Sequence, residues 1–206
     1  LISVWARAGF PEGAEFFREE MVRRGMQPTQ LCYYALIEGW LELLSTLPYE
    51  TESSGSNGTL TTPLTSCGAG IDTVSIEDKK GHWALYSKEQ ALSRISSLFL
   101  TMCTEAVHSD QPIFYCQQAY TKIVDNWPAE EAEANSSTLS NSLKSIFRSI
   151  LSVLSEGRRN SVGALSEGGA AATADQALEV LKRMAIHGMG PDLECYSSVV
   201  VALERA

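Results

Sequence analysis

The residues best equipped for chemistry are few and scattered. Cys32, Cys67, Cys103, Cys116 and Cys195 stand at no close spacing. An odd number of cysteines without a CxxC pair fits neither a disulfide framework nor a zinc site, whose ligands come at short intervals. As free thiols they favour a reducing compartment. His82, His108 and His187 lie far apart with no neighbouring ligand pattern, so they read as ordinary packed or surface residues. Asp72, Glu77 and Asp78 read as solubilising charges. Asn57 and Asn135 open triplets that match the glycosylation acceptor, a pattern frequent by chance in Ser-rich stretches. With no GxGxxG, P-loop, HExxH or paired carboxylates, the chain is expected to be no enzyme and to carry no cofactor or metal.

Composition sets the frame for these residues. The 206-residue chain carries 16 Lys and Arg against 25 Asp and Glu, a formal net charge of -9. Arg23-Arg24, Lys79-Lys80, Arg158-Arg159 and Lys182-Arg183 are basic pairs without an adjoining basic field, and they read as solvated faces. A surface that grips phosphate throughout is thereby excluded. The apolar share of 44% is enough for a packed core. No apolar run is long enough to span a membrane. The chain opens on LISVWARA and closes on SSVVVALERA, both helical in pattern, and it is expected to be a piece of a longer protein.

The elements emerge when the chain is compared with itself. Residues 14–40 (AEFFREEMVRRGMQPTQLCYYALIEGW) fall on residues 177–203 (ALEVLKRMAIHGMGPDLECYSSVVVAL) at one constant shift and without a gap. Ala14 meets Ala177, Met21 meets Met184, Gly25 meets Gly188, Met26 meets Met189 and Pro28 meets Pro191. Cys32 and Tyr33 meet Cys195 and Tyr196, and the pair Leu36-Ile37 meets Val199-Val200. Ala14, Phe17 and Met21 make an apolar stripe at helical spacing. Gly25 stands where a helix closes on a left-handed residue, and Pro28 cannot continue that helix but tolerates the start of the next. Tyr33, Leu36, Ile37 and Trp40 form the second helix's stripe. The unit is a helix, a tight turn and an antiparallel helix. Tyr120, Ile123, Val124 and Trp127 repeat the second-helix stripe, and Leu1, Ile2 and Trp5 repeat part of it.

These residues resemble the pentatricopeptide repeat family, whose unit is a helical hairpin of about 35 residues that stacks into arrays. The likeness rests on Ala177, Met184, Gly188, Met189, Pro191, Asp192, Tyr196 and the aliphatic pair after it, and on their counterparts near the start. It covers residues 173–201 almost throughout, residues 1–40 well and 112–127 in part. It implies an all-α fold, helical-hairpin repeats stacked as an α-α superhelix, with long disordered insertions. The copies are not spaced by whole repeats, so the array carries insertions, and Pro112 sits earlier than the register asks.

The organisation expected is therefore repeat-like helices over 1–45, a low-complexity insertion over 46–81 and degenerate repeat-like helices over 82–127. An acidic, Ser-rich linker over 128–138, a helix over 139–156, a Gly/Ser/Ala linker over 157–172 and a final hairpin over 173–206 follow. Within these, helices are expected over about 87–107 and about 139–154.

The resemblance implies single-stranded RNA as partner, read one base per repeat, in organellar RNA processing, stability or translation. It implies a mitochondrial or plastid location. Carried over by motif, the base edge is met by Tyr34, Thr121 and Ser197, the residues after the first-helix Tyr, and by Thr29 and Asp192, the residues after the inter-repeat Pro. Ser197 and Asp192 are short hydrogen-bonding groups suited to that role. Tyr34 suits stacking instead, and Ile113, after Pro112, offers no side-chain hydrogen bond, so the code is degraded. Net charge predicts weak affinity in this chain alone and a modest salt dependence. The competing expectation is a protein-interaction scaffold that kept the helices, lost RNA readout and meets a basic partner through its acidic surface.

Overall fold

A computed structural model of the chain describes residues 1–47, 86–108, 113–127, 137–156 and 168–204. Cys67, His82, Asn57, Asn135, Pro112, the pairs Lys79-Lys80 and Arg158-Arg159, the acidic residues Asp72, Glu77 and Asp78, and most of the expected insertion and linkers lie outside those residues. The described residues are all-helical, with no strand among them. The elements are α1 (Ile2–Arg7), α2 (Pro11–Arg23), α3 (Gln30–Thr46), α4 (Lys88–His108), α5 (Phe114–Asp125), α6 (Ser137–Glu156), α7 (Gly168–Ile186) and α8 (Leu193–Glu204). Helix α7 starts at Gly168, within the stretch expected as a linker.

Three helix ends close in the same way, and each closure follows from one glycine. Gly9, Gly25 and Gly188 take φ of 84°, 74° and 68°, a left-handed conformation that costs a residue with a Cβ but not glycine. After α2 the Met26 amide donates to the Met21 carbonyl at 2.9 Å and the Gly25 amide to Val22 at 2.9 Å. After α7 the Met189 amide donates to Met184 at 2.9 Å and Gly188 to Ala185 at 3.0 Å. After α1 the Phe10 amide donates to Trp5 and Gly9 to Ala6, both at 3.1 Å. These are paired 6→1 and 5→2 bonds that satisfy carbonyls a helix end would otherwise leave open. Pro11 then starts α2 at a position where its missing N–H costs nothing. The start of α4 is fixed differently, by a reciprocal box in which the Gln90 amide donates to Ser87 Oγ and the Ser87 amide to Gln90 Oε1, each at 3.1 Å.

The stripes of the helices meet in one core. Helix α3 is buried on nearly every side, with Tyr33, Leu36, Ile37 and Trp40 almost fully enclosed. It is therefore the hub around which α1, α2, α4 and α5 pack. Gly39 lets α1 come close, since a Cβ there would stand 2.9 Å from the Ala6 Cβ and 3.1 Å from its Cα. Helix α4 turns Leu92, Ile95, Phe99 and Met102 inward, and α6 does the same with Ile146, Phe147, Ile150 and Leu151.

Packing arranges the helices in two rows. In one, α1 packs on α3 and α3 on α5; in the other, α4 packs on α6 and α6 on α8. Helix α7 packs on α6 and α8, and it reaches α5 through a Gln117 Nε2 to Gln176 Oε1 bond of 2.6 Å and an Arg183–Asp125 ion pair of 2.9 Å. Thus α7 continues the row of α5, and α8 continues the row of α6. The repeated sequence unit consequently appears in opposite rows: its second helix is α3 beside α1 and α5 in the first copy, and α8 beside α6 in the second.

Candidate nucleic-acid interface

The face of α1, α3 and α5 brings together polar and aromatic groups from neighbouring helices. On α3, Tyr34 follows the buried Tyr33 and packs half-exposed against the edge of the core. Tyr115 of α5 lies against it, ring centroids 5.7 Å apart and tilted by 48°. Phe114 stands edge-on to Tyr115 at 5.5 Å and is exposed. Lys122, two turns along α5, holds its ammonium 5.3 Å from the centre of the Tyr34 ring and pairs with Glu38, one turn along α3 from Tyr34. Its pKa is raised, first by the Glu38 bond and then by Tyr34. Beside this group Arg7, Glu38, Gly39, Leu41, Glu42, Ser45, Lys122 and Asn126 line an open groove of about 420 Å³, polar and apolar in nearly equal measure.

Beneath that face the core is tied by polar bonds. Trp40 Nε1 donates to Glu15 Oε1 at 2.6 Å, and Arg94 approaches Glu15 Oε2 at 3.5 Å. The Tyr33 hydroxyl donates to Glu105 at 2.7 Å, while the Arg18 guanidinium sits 5.9 Å from the Tyr33 ring centre. Burial first, and Glu105 second, push the Tyr33 phenol up to about 12, so it remains a donor at any ordinary pH. A buried carboxylate on Trp40 is tolerated because both of its oxygens have partners.

The sequence-derived site residues fall in two places. Tyr34 and Thr121 are on the neighbouring helices α3 and α5. Thr121 is exposed, its hydroxyl donating to the Gln117 carbonyl at 3.0 Å. Thr29 is the N-cap of α3, exposed, with Oγ1 at 3.4 Å from Cys32 Sγ. Ser197 and Asp192 belong to the other row. The Ser197 hydroxyl donates to Leu193 O at 2.8 Å. Asp192 caps α8, accepting the Cys195 amide at 3.1 Å, and it accepts Arg148 Nε of α6 at 2.9 Å with a second, closer bond from the same guanidinium. Lys144 adds its charge at 3.5 Å. Together Arg148 and the Cys195 amide hold the Asp192 carboxyl well below the usual carboxylate range. Asp192 is thus tied into the packing of α8 on α6. Ile113 precedes α5 and packs half-buried on the core.

Sequence reading did not single out Tyr115, Lys122, Glu38 or Arg7. Lys122 directly follows Thr121, but only the packing of α5 on α3 shows that it reaches Tyr34. Among the described residues no group of His, Cys, Asp and Glu could hold a metal ion, and no helix is long and apolar enough to cross a membrane. No family model, curated protein or solved structure matches the chain.

Proposed function

We propose that the chain is a section of a pentatricopeptide-type helical array that binds single-stranded RNA along the face of α1, α3 and α5, in the organellar transcript biology its resemblance implies. The observation that carries this reading is the group of Tyr34, Tyr115 and Lys122 on two adjacent helices. An aromatic pair beside an ammonium suits a base and its phosphate, because every base has a stacking face and every linkage a negative charge. Recognition here is stacking more than edge readout: Tyr34 stands where a small polar reader is expected, and Asp192 is occupied by Arg148.

Titration of labelled single-stranded RNA homopolymers at low salt tests the reading. Binding is expected to be weak and to fall with added salt. Tyr34→Ala is expected to remove ~1–3 kcal/mol, the usual worth of one stacked base. No binding by the wild-type chain at low salt overturns the proposal.

A protein-interaction scaffold is the second reading. It is favoured by the neutralisation of cations near the groove, Lys122 by Glu38 and Arg183 by Asp125, on a chain of net charge -9. RNA binding that is unchanged in Tyr34→Ala and Lys122→Ala would move the choice to this reading for the α1, α3 and α5 face.

A further inference from the structure

Two ion pairs recur along the row that carries the candidate RNA face. Glu38 of α3 pairs with Lys122 of α5, the next helix in the row. Asp125 of α5 pairs with Arg183 of α7, the next again, at 2.9 Å. The two acids hold the same place in the repeated stripe, five residues after Tyr33 and five after Tyr120. In α1 that place is Ser3, and in α8, which lies in the other row, it is Val201.

Both pairs are open to solvent. The side chains of Lys122 and Glu38 are 46% and 25% exposed, and those of Arg183 and Asp125 are 30% and 55% exposed. The Lys122 ammonium stands 5.3 Å from the centre of the Tyr34 ring, so its charge sits beside a stacking group. Arg183 also lies 3.9 Å from Glu179 of its own helix. Ion pairs this open contribute little to folding, so their cations exchange partners readily. A phosphate is a strong acceptor for either cation, and a guanidinium can meet it through two parallel bonds.

We propose that Lys122 and Arg183 are successive backbone contacts for a single strand running from α3 across α5 to α7, and that Glu38 and Asp125 are built-in competitors which the phosphates must displace. The inference rests on the RNA reading of this row and extends it to α7. A displaced carboxylate stays beside the incoming phosphate, and like charges repel. The pairing also flattens the salt dependence. A cation that is already neutralised adds little net charge when it turns to a phosphate, so fewer counterions leave the strand. The same two acids thus hold the chain to weak binding while their partners set the path.

A labelled single-stranded uridine homopolymer, titrated into the full chain over a range of salt, tests this. Glu38→Gln and Asp125→Asn keep the shape of each side chain and remove its charge. Each is expected to tighten binding at low salt about fivefold and to steepen the slope of log affinity against log salt by about 0.7, with about 1.4 for the two together. Glu89→Gln, exposed on α4 in the other row, removes the same charge and is expected to leave the slope unchanged. Adding Lys122→Ala to Glu38→Gln, or Arg183→Ala to Asp125→Asn, is expected to cancel the gain. Unchanged melting curves show that the variants fold. Acid variants that bind as the wild type does overturn this inference and leave the RNA reading standing. So does a gain that Glu89→Gln matches, or one that survives loss of the partner cation. Absence of binding by every chain overturns both.

Discussion

Asp192 serves α8 twice, as the N-cap acceptor for the Cys195 amide and as the acceptor for Arg148 of α6. A carboxylate whose folded pKa is depressed contributes stability above its unfolded value and loses it as pH falls toward the folded one. Asp192→Asn is therefore expected to lower stability at neutral pH. The gap to wild type should shrink as pH falls through the ordinary value of 3.8 and below. Thermal melts of both proteins across pH 2 to 7, roughly the range over which an aspartate titrates, check this. A gap that stays constant across that range would show the carboxylate charge to be unimportant. The residue's type was legible in the sequence, but its bond to Arg148 was not. Position after Pro191 suggests a base reader, and only the packing of α8 on α6 shows that Arg148, 44 positions earlier, bonds it.

At the scale of the element, hairpin closure depends on glycine for backbone reasons alone. A Cβ on Gly25 or Gly188 meets nothing within 4 Å, so only the left-handed φ is strained. Each substitution to Ala is expected to cost ~1 kcal/mol, alike in the two copies. Gly39→Ala drives a Cβ against Ala6 and is expected to cost more, ~1–3 kcal/mol, with α1 displaced from α3. Denaturant titration of the three variants separates strain from crowding. The hairpins were readable because Gly and Pro punctuate them and because apolar stripes recur at helical period. Helix α7 was harder to delimit, since Gly168, Gly169 and Ala170 look like linker composition, and glycine weakens any local helical signal. The place of α6 was hidden for another reason. It packs on α7 and α8 as α1 packs on α2 and α3, and its segment Ile150–Ser155 (ILSVLS) matches Leu1–Ala6 (LISVWA). Six residues inside a 20-residue helix make too short a pattern to stand out without the contacts.

Across the whole molecule, Phe147 joins the middle to the last hairpin. Fully buried on α6, it stacks edge-on against Tyr120 of α5 at 5.7 Å and lies 6.1 Å from His187 in the α7–α8 turn. Phe147→Ala is expected to cost ~3–5 kcal/mol. Urea unfolding should remain a single transition, seen at one midpoint by tryptophan fluorescence and by circular dichroism. Two separate midpoints would show instead that α7 and α8 melt as their own unit.

The opposite placement of the two copies is a matter of parity. From α3 to α8 the described helices advance by an odd number of steps, and these helices alternate between the two rows of contacts. The second helix of the motif therefore comes to lie among the helices of the other row, however faithful the repetition. Ligand positions transferred by sequence register alone, from Tyr34 to Ser197 or from Thr29 to Asp192, would assign one strand to two opposite walls.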